Sequence, residues 1–194
     1  VSTAKLASGA VTTAKIADDA VTMAKIANDA VGANQIANNA DFVINGVNVG
    51  KGANAVSGNT VLGENALDAS VSGVDNTAVG QSALTELTSG NDNTGIGHAS
   101  LAALTTGSHN TAIGTESMDV LTTGTHNTGL GKSALGSLTT ASQNTAVGSG
   151  SLGLNTTGTN NTAVGRSALV ANTTADNNTA VGSNALVSNT TGTE

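Results

Sequence analysis

Polar and apolar positions along this chain recur on two fixed periods. From residue 59 the dipeptide Asn-Thr begins at Asn59, Asn76, Asn93, Asn110, Asn127, Asn144, Asn161 and Asn178, always 17 residues apart. Eight such units run without a gap to Glu194. In NTAVGQSAL (76–84) and NTAVGRSAL (161–169), Asn76, Thr77, Val79, Gly80 and Leu84 match Asn161, Thr162, Val164, Gly165 and Leu169 place for place. Self-similarity at a fixed period of this order marks a solenoid or a fibre.

Each unit can be numbered from its Asn as place one. Place four is always a branched aliphatic (Leu62, Val79, Ile96, Ile113, Leu130, Val147, Val164, Val181), and place three is Ala or Gly after the opening Val61. Thr, small, aliphatic, Gly reads as a short strand, with Thr and the aliphatic on one face and the small residue on the other. Place five is always Gly, which points to a backbone angle or a close approach that a side chain forbids. Place eight is Ala or Ser and place nine is Leu except for Met118, a pattern that predicts a second short strand after the glycine turn. A polar return follows, in which only Leu87, Leu104, Leu121 and Leu138 offer apolar side chains for packing at place twelve. Stacked in parallel and in register, such coils bring like residues about 4.8 Å apart, so that Asn and Thr form side-chain ladders. Eight coils at that spacing extend roughly 40 Å. The expected fold is all-β, a parallel β-solenoid or β-roll of eight 17-residue coils over 59–194.

The first 40 residues keep a different period. VSTAKLASGA, VTTAKIADDA, VTMAKIANDA and VGANQIANNA are four decapeptides. Val, Thr and Ile favour strands and the paired Ser, Gly, Asp and Asn read as turns, so 1–40 is expected to be a β-rich stalk, with helix left open by the Ala content. Residues 41–58 form a junction. It contains GVNVGKGAN (46–54), read as a truncated coil, and Asp41-Phe42-Val43-Ile44, whose Phe42 is read as a plug at the end of the repeat core.

Composition sharpens this picture. The 194 residues include no Pro, Cys, Trp or Tyr, and Phe42 is the sole aromatic. Apolar residues are mostly Ala, Val and Leu, which bury little area against the entropy cost of ordering the chain. Only 10% of residues are charged and the aliphatics are strictly spaced, unlike a disordered chain. The net charge of −7 gives no electrostatic support to nucleic-acid binding. No apolar run approaches a membrane span, and the absence of Cys rules out disulfides and thiolate metal sites. A start without Met, partway through a repeat, suggests a fragment of a longer protein. A lone coil of this composition is expected to bury too little by itself. The aliphatic column then needs a partner, and closure around a three-fold axis, intertwined or side by side, predicts a homotrimeric fibre.

The NTAVGxSAL unit resembles the head repeats of trimeric autotransporter adhesins of the Yersinia adhesin type, which carry an Asn-Ser-Val-Ala-Ile-Gly signature. It is still more similar to the NTAVGxxAL-xxNTTGxx arrays of phage tail fibres. The decapeptide VTTAKIADDA is similar to stalk repeats of such fibres. The resemblance implies a parallel β-roll in a trimeric extracellular fibre. This unit departs from the adhesin pattern by a longer return loop and by Thr in place of a bulkier residue.

Candidate chemistry is sparse. Gly148-Ser149-Gly150-Ser151-Leu152-Gly153 satisfies G-x-G-x-x-G without a βαβ context, and Gly131-Lys132-Ser133 lacks the earlier P-loop Gly, its place being held by His126. His109 and His126 share place seventeen in adjacent coils and are weak metal candidates, set against a plain polar edge that also holds Asp75, Asp92, Gln143, Asn160, Asn177 and Glu194. His98 falls at the variable sixth place and is read as exposed. No Ser, His and Asp constellation suggests catalysis, and no cofactor is expected. Glycosylation sequons at Asn155, Asn160, Asn172, Asn177 and Asn189 follow from the repeat itself.

Three functions are therefore expected in order. The first is a structural shaft or head segment of a trimeric fibre, as in a phage tail fibre that attaches to a host. Its partners would be two further copies of the chain and a cell-surface glycan or protein receptor, with no nucleic acid and no membrane insertion. The second is the head of a bacterial trimeric autotransporter adhesin binding a host surface. The third, of another class, is an ice-binding β-solenoid, weakened because the adjacent return threonines, such as Thr122 and Thr123, alternate between faces. An enzyme is not expected.

Overall fold

The computed structural model of the chain describes residues 42–69 and 71–192, so the decapeptide stalk expected of residues 1–40 lies outside the described residues. The described strands form one ten-stranded sheet in chain order. β1 (Phe42–Ile44) and β2 (Val47–Gly50) make an antiparallel hairpin that sets Phe42 opposite Val49. Asn45 and Gly46, both at positive φ, form its two-residue turn, as such tight hairpins require. After a 3-10 turn at Ala53–Ala55 come β3 (Thr60–Gly63), β4 (Thr77–Val79), β5 (Thr94–Ile96), β6 (Thr111–Ile113), β7 (Thr128–Leu130), β8 (Thr145–Val147), β9 (Thr162–Val164) and β10 (Thr179–Val181). These eight strands pair in parallel, one per coil, with Thr beside Thr and aliphatic beside aliphatic throughout. The fold is a parallel β-solenoid of 17-residue coils.

The segment read as a truncated coil behaves differently. β2 runs antiparallel to β3, with Val49 opposite Leu62, so it covers one edge of the parallel sheet with a hairpin instead of adding a parallel rung.

Each short strand divides as its alternation dictates. The small place-three residues point inward and are buried, from Val61 through Ala78, Ala112, Ala146 and Ala163 to Ala180, while Thr and the aliphatic face outward. The second strand expected after the glycine turn does not form. Places six to eleven are turns, and places seven and nine both adopt the left-handed region, as in Ser82 (φ 57) with Leu84 (φ 52) and Ser133 (φ 53) with Leu135 (φ 54). A left-handed Leu costs roughly 1–2 kcal/mol, whereas full burial of a Leu side chain contributes about 1.5–3 kcal/mol. Burial wins, since Leu67, Leu84, Leu101, Leu135, Leu152 and Leu169 are all inaccessible to solvent. The turns are irregular within a coil yet regular between coils. Leu84 N–H donates to Ser100 O at 3.0 Å, and Leu101 N–H to Ser117 O at 3.1 Å. Backbone groups left without partners by the turn are thereby satisfied along the stack.

A single chain therefore builds its own core, contrary to the expectation that one coil buries too little. Leu at place nine stacks on Leu, Ala or Ser at place eight on its counterpart, and Leu87, Leu104, Leu121 and Leu138 complete the interior at 0% exposure. Repetition supplies what composition lacks, because every interior side chain packs on copies of itself above and below.

The glycine at place five is fixed by two independent constraints. At Gly114 φ is +133, and a Cβ there would stand 2.6 Å from Gly131 O and 2.7 Å from Gly131 C. At Gly182 φ is +128, but an added Cβ would meet only Ala185 Cβ at 3.9 Å. Gly114→Ala is therefore expected to destabilise by about 2–5 kcal/mol, from strain and backbone collision together, and Gly182→Ala by about 1–2 kcal/mol, from strain alone. Urea unfolding of the two variants should show that order; equal midpoints would remove the collision from the account.

Candidate functional site

Three longitudinal features of the stack merit chemical scrutiny: the buried Asn column, the outward sheet face, and the polar column at place seventeen. The Asn column is the most completely bonded. Asn127 N–H donates to Asn110 Oδ1 at 3.0 Å, and its Nδ2 donates to the same oxygen at 3.1 Å and to Ala141 O at 2.9 Å. Its own Oδ1 accepts from Asn144 N at 3.0 Å and from Asn144 Nδ2 at 3.3 Å. Both amide protons and both lone pairs are thus used. The same pattern links Asn59, Asn76, Asn93, Asn110, Asn144, Asn161 and Asn178. A residue with one fewer donor or one fewer acceptor, such as Asp or Ser, breaks the line, and Gln, with the same amide one methylene further from the backbone, would carry it out of register with the coils above and below.

A second ladder lies where the sequence pattern suggested only a polar return. Thr105 Oγ1 donates to Thr122 O and Thr122 Oγ1 to Thr139 O, both at 3.0 Å, a bond repeated at Thr88, Thr139 and Thr156. Place thirteen thus turns toward the next coil, whereas the Thr beside it at place fourteen is exposed, as alternation requires. Place sixteen adds a third set. Asn91, Ser108, Ser142 and Asp176 accept backbone N–H bonds from the preceding coil through their side chains.

The polar replacements at place twelve are also interior. Asn155 and Asn172 are 0% exposed, like the leucines they replace. Asn155 holds its return as a local clasp, donating to Gly158 O at 2.9 Å and accepting from Gly158 N at 3.0 Å. Asn172 donates to Ala175 O at 3.0 Å, and its Oδ1 is the one buried side-chain polar atom without a partner among the described residues. The sequons at Asn155 and Asn172 are therefore closed to a glycosylating enzyme in the folded chain, while Asn160 and Asn177 are exposed.

The outward face of the sheet carries only two columns, Thr at place two and the branched aliphatic at place four. Leu62, Ile113, Leu130 and Val181 are exposed at 45%, 36%, 44% and 71%, and Val79, Ile96, Val147 and Val164 are half-buried. The face holds no charged side chain from β3 to β10. The residues singled out in the repeat thus divide. Asn76, Leu84, Asn161 and Leu169 lie inside, Gly80 and Gly165 turn the chain, and Thr77, Val79, Thr162 and Val164 form the outer face. Phe42 lies in β1, and the plug assigned to its side chain falls outside the described residues.

At place seventeen every described residue from Asp75 to Asn177 has positive φ. Asn, Asp and His tolerate that region better than most, which accounts for the column's composition. His109 and His126 are exposed neighbours with ring centroids 4.8 Å apart, and His109 Nδ1 lies 3.6 Å from Asp92 Oδ2. His98 is exposed in another column. Among the described residues no group of three or more His, Asp or Glu side chains is placed to hold a metal ion. Ser100, Ser117 and Ser151 are buried and donate to Ala112 O, Gly129 O and Gly148 O. The G-x-G-x-x-G run beginning at Gly148 occupies the turn after β8, with no helix behind it to receive a phosphate. No helix among the described residues is long and apolar enough to cross a membrane.

No protein-family model, curated protein or solved structure matches the chain. The fold alone defines its class, a β-solenoid repeat protein.

Two outcomes follow from these side chains. Asn127→Asp removes two donors and sets a carboxylate against Asn110 Oδ1 and Ala141 O. It should destabilise by about 3–5 kcal/mol near neutral pH, as for an uncompensated buried charge, with part of the loss recovered in acid as the carboxyl protonates. Chemical denaturation at both pH values checks it. Asp119 shows the opposite sign from the usual carboxylate. Partial burial raises its pKa; a hydrogen bond from its own backbone amide opposes this, Glu116 adds a smaller upward push, and a backbone hydrogen bond at Val120 a smaller downward one. A folded pKa above the unfolded one makes the native state bind the proton more tightly, so stability is fully present below the unfolded value of 3.8 and declines as pH rises through the folded one. Asp119→Asn should therefore raise the melting temperature at pH 7 and leave it unchanged at about pH 3; a loss of stability at pH 7 would contradict this.

Proposed function

We propose that this chain is a shaft or head segment of a homotrimeric extracellular fibre, of the kind that phage tails use in host attachment. The observation that carries the reading is the uncharged outer sheet face. It runs the full length of the parallel stack and leaves Leu62, Ile113 and Leu130 partly in water, although each chain has its own core. A continuous apolar column of this kind marks an association surface. Identical copies meeting through it around a closed axis would cover it without creating an open-ended filament. The number three comes from the resemblance of NTAVGxSAL and VTTAKIADDA to fibre repeats. The work done is mechanical: ladders of hydrogen bonds along the axis stiffen the segment, and the exposed Thr loops at place fourteen are left for contact with a cell-surface glycan or protein. A bacterial surface adhesin would use the same assembly and differ by carrying a cell anchor.

A second reading is favoured by the same face. Thr and aliphatic columns, held in exact register on eight parallel strands, form a regular array of hydroxyl and methyl groups that could order water and bind ice. The two readings compete for one surface. Light scattering separates them: the fibre reading expects three times the 18.6 kDa chain mass, and Leu130→Glu should yield folded monomers. A folded wild-type monomer that shows thermal hysteresis would replace the fibre by the ice binder.

A further inference from the structure

We propose that His109 and His126, backed by Asp92, form a surface site for a transition-metal dication such as Zn2+. The three residues occupy place seventeen of successive coils, so the stack alone brings them into line. The two imidazole rings lie 4.8 Å apart, tilted by 31°, and both residues are exposed. The site requires only rotation of the two exposed side chains about their own χ angles to aim one nitrogen of each ring at a common ion. Two neutral imidazoles with water completing the shell suit Zn2+, Ni2+ or Cu2+, and suit Ca2+ or Mg2+ poorly, since those ions take oxygen ligands.

Asp92 supplies what a bare histidine pair lacks. Its Oδ2 stands 3.6 Å from His109 Nδ1. A carboxylate beside Nδ1 leaves Nε2 as the nitrogen that can face an ion. Asp92 is thus a positioning residue and the imidazoles are the ligands. The backbone accounts for a His at either position singly, since positive φ admits His, Asn or Asp. It does not call for two histidines in adjacent coils directly after an Asp, an arrangement that sets two imidazolium charges side by side whenever both are protonated. A dication bound to the neutral rings removes that repulsion. The site stands on the geometry of one chain and is independent of the assembly proposed above.

The column also furnishes its own control. Asn160 and Asn177 occupy the same place at φ 57 and φ 62, so His→Asn variants keep a residue that the backbone accepts. Calorimetric titration of the full chain with Zn2+, in a non-coordinating buffer near neutral pH, should show one saturable site per chain. His109→Asn and His126→Asn should each abolish it, Asp92→Asn should weaken it about tenfold, and His98→Asn should leave it unchanged. Thermal melts without metal confirm that the variants fold. No saturable binding by the wild type, or equal binding by the His109→Asn/His126→Asn double variant, would overturn the proposal.

Discussion

The interior column of asparagine amides is the constraint on which the rest of the stack depends. From Asn76 to Asn161 each amide both gives and receives along the axis, and each also ties its coil to the carbonyl fourteen residues further on, as Asn127 does with Ala141. A buried amide left half-bonded costs free energy, whereas one with all four positions filled is strongly held in the low-dielectric interior. Any coil that slipped by one residue would break bonds on two sides at once. Register, coil length and the uniformity of the Asn column are therefore one fact seen three ways.

From that line the other columns follow. The strand after Asn is short because the glycine at place five must turn the chain where the next coil's backbone leaves no room for a side chain. The leucine at place nine then accepts a left-handed backbone, because stacking buries it completely against its counterparts. Strain and burial are of similar size in one coil. Repetition tips the balance the same way in each coil covered by another, while Leu186 in the last described coil keeps the left-handed backbone at 51% exposure, so the core is continuous although no single unit contains much apolar mass. What the interior cannot absorb is the aliphatic at place four, which strand alternation sends outward together with Thr. The outer face is thus a by-product of the same alternation that fills the core, and its uncharged character is the feature that any functional account has to use.

Much of this was legible in the sequence. The 17-residue period, the parallel register, the opposite facing of small and aliphatic places and the exclusion of side chains at place five all follow from columns such as Val79 with Gly80 and Val164 with Gly165. The turns were not legible. Leu84 and Leu135 look like strand residues by composition, and nothing in a Ser-Ala-Leu triplet announces two left-handed backbones, because a propensity argument weighs each residue alone while the stack weighs it against its copies. The self-contained core was missed for the same reason. Asn155 and Asn172 were left out of the packing residues of a polar return, yet their place in the Leu87 column was the signal that they face inward. The antiparallel pairing of β2 escaped because Val-Gly-x-x-Ala gives no strand direction.

The most direct test of the account is native-state hydrogen exchange at the backbone and side-chain amides of Asn93, Asn110, Asn127 and Asn144. If the amide line holds the coils together, these protons exchange only through global unfolding and are as protected as any in the chain. Exchange as fast as that of the backbone amide of exposed Thr123 would show that the stack is held by something else.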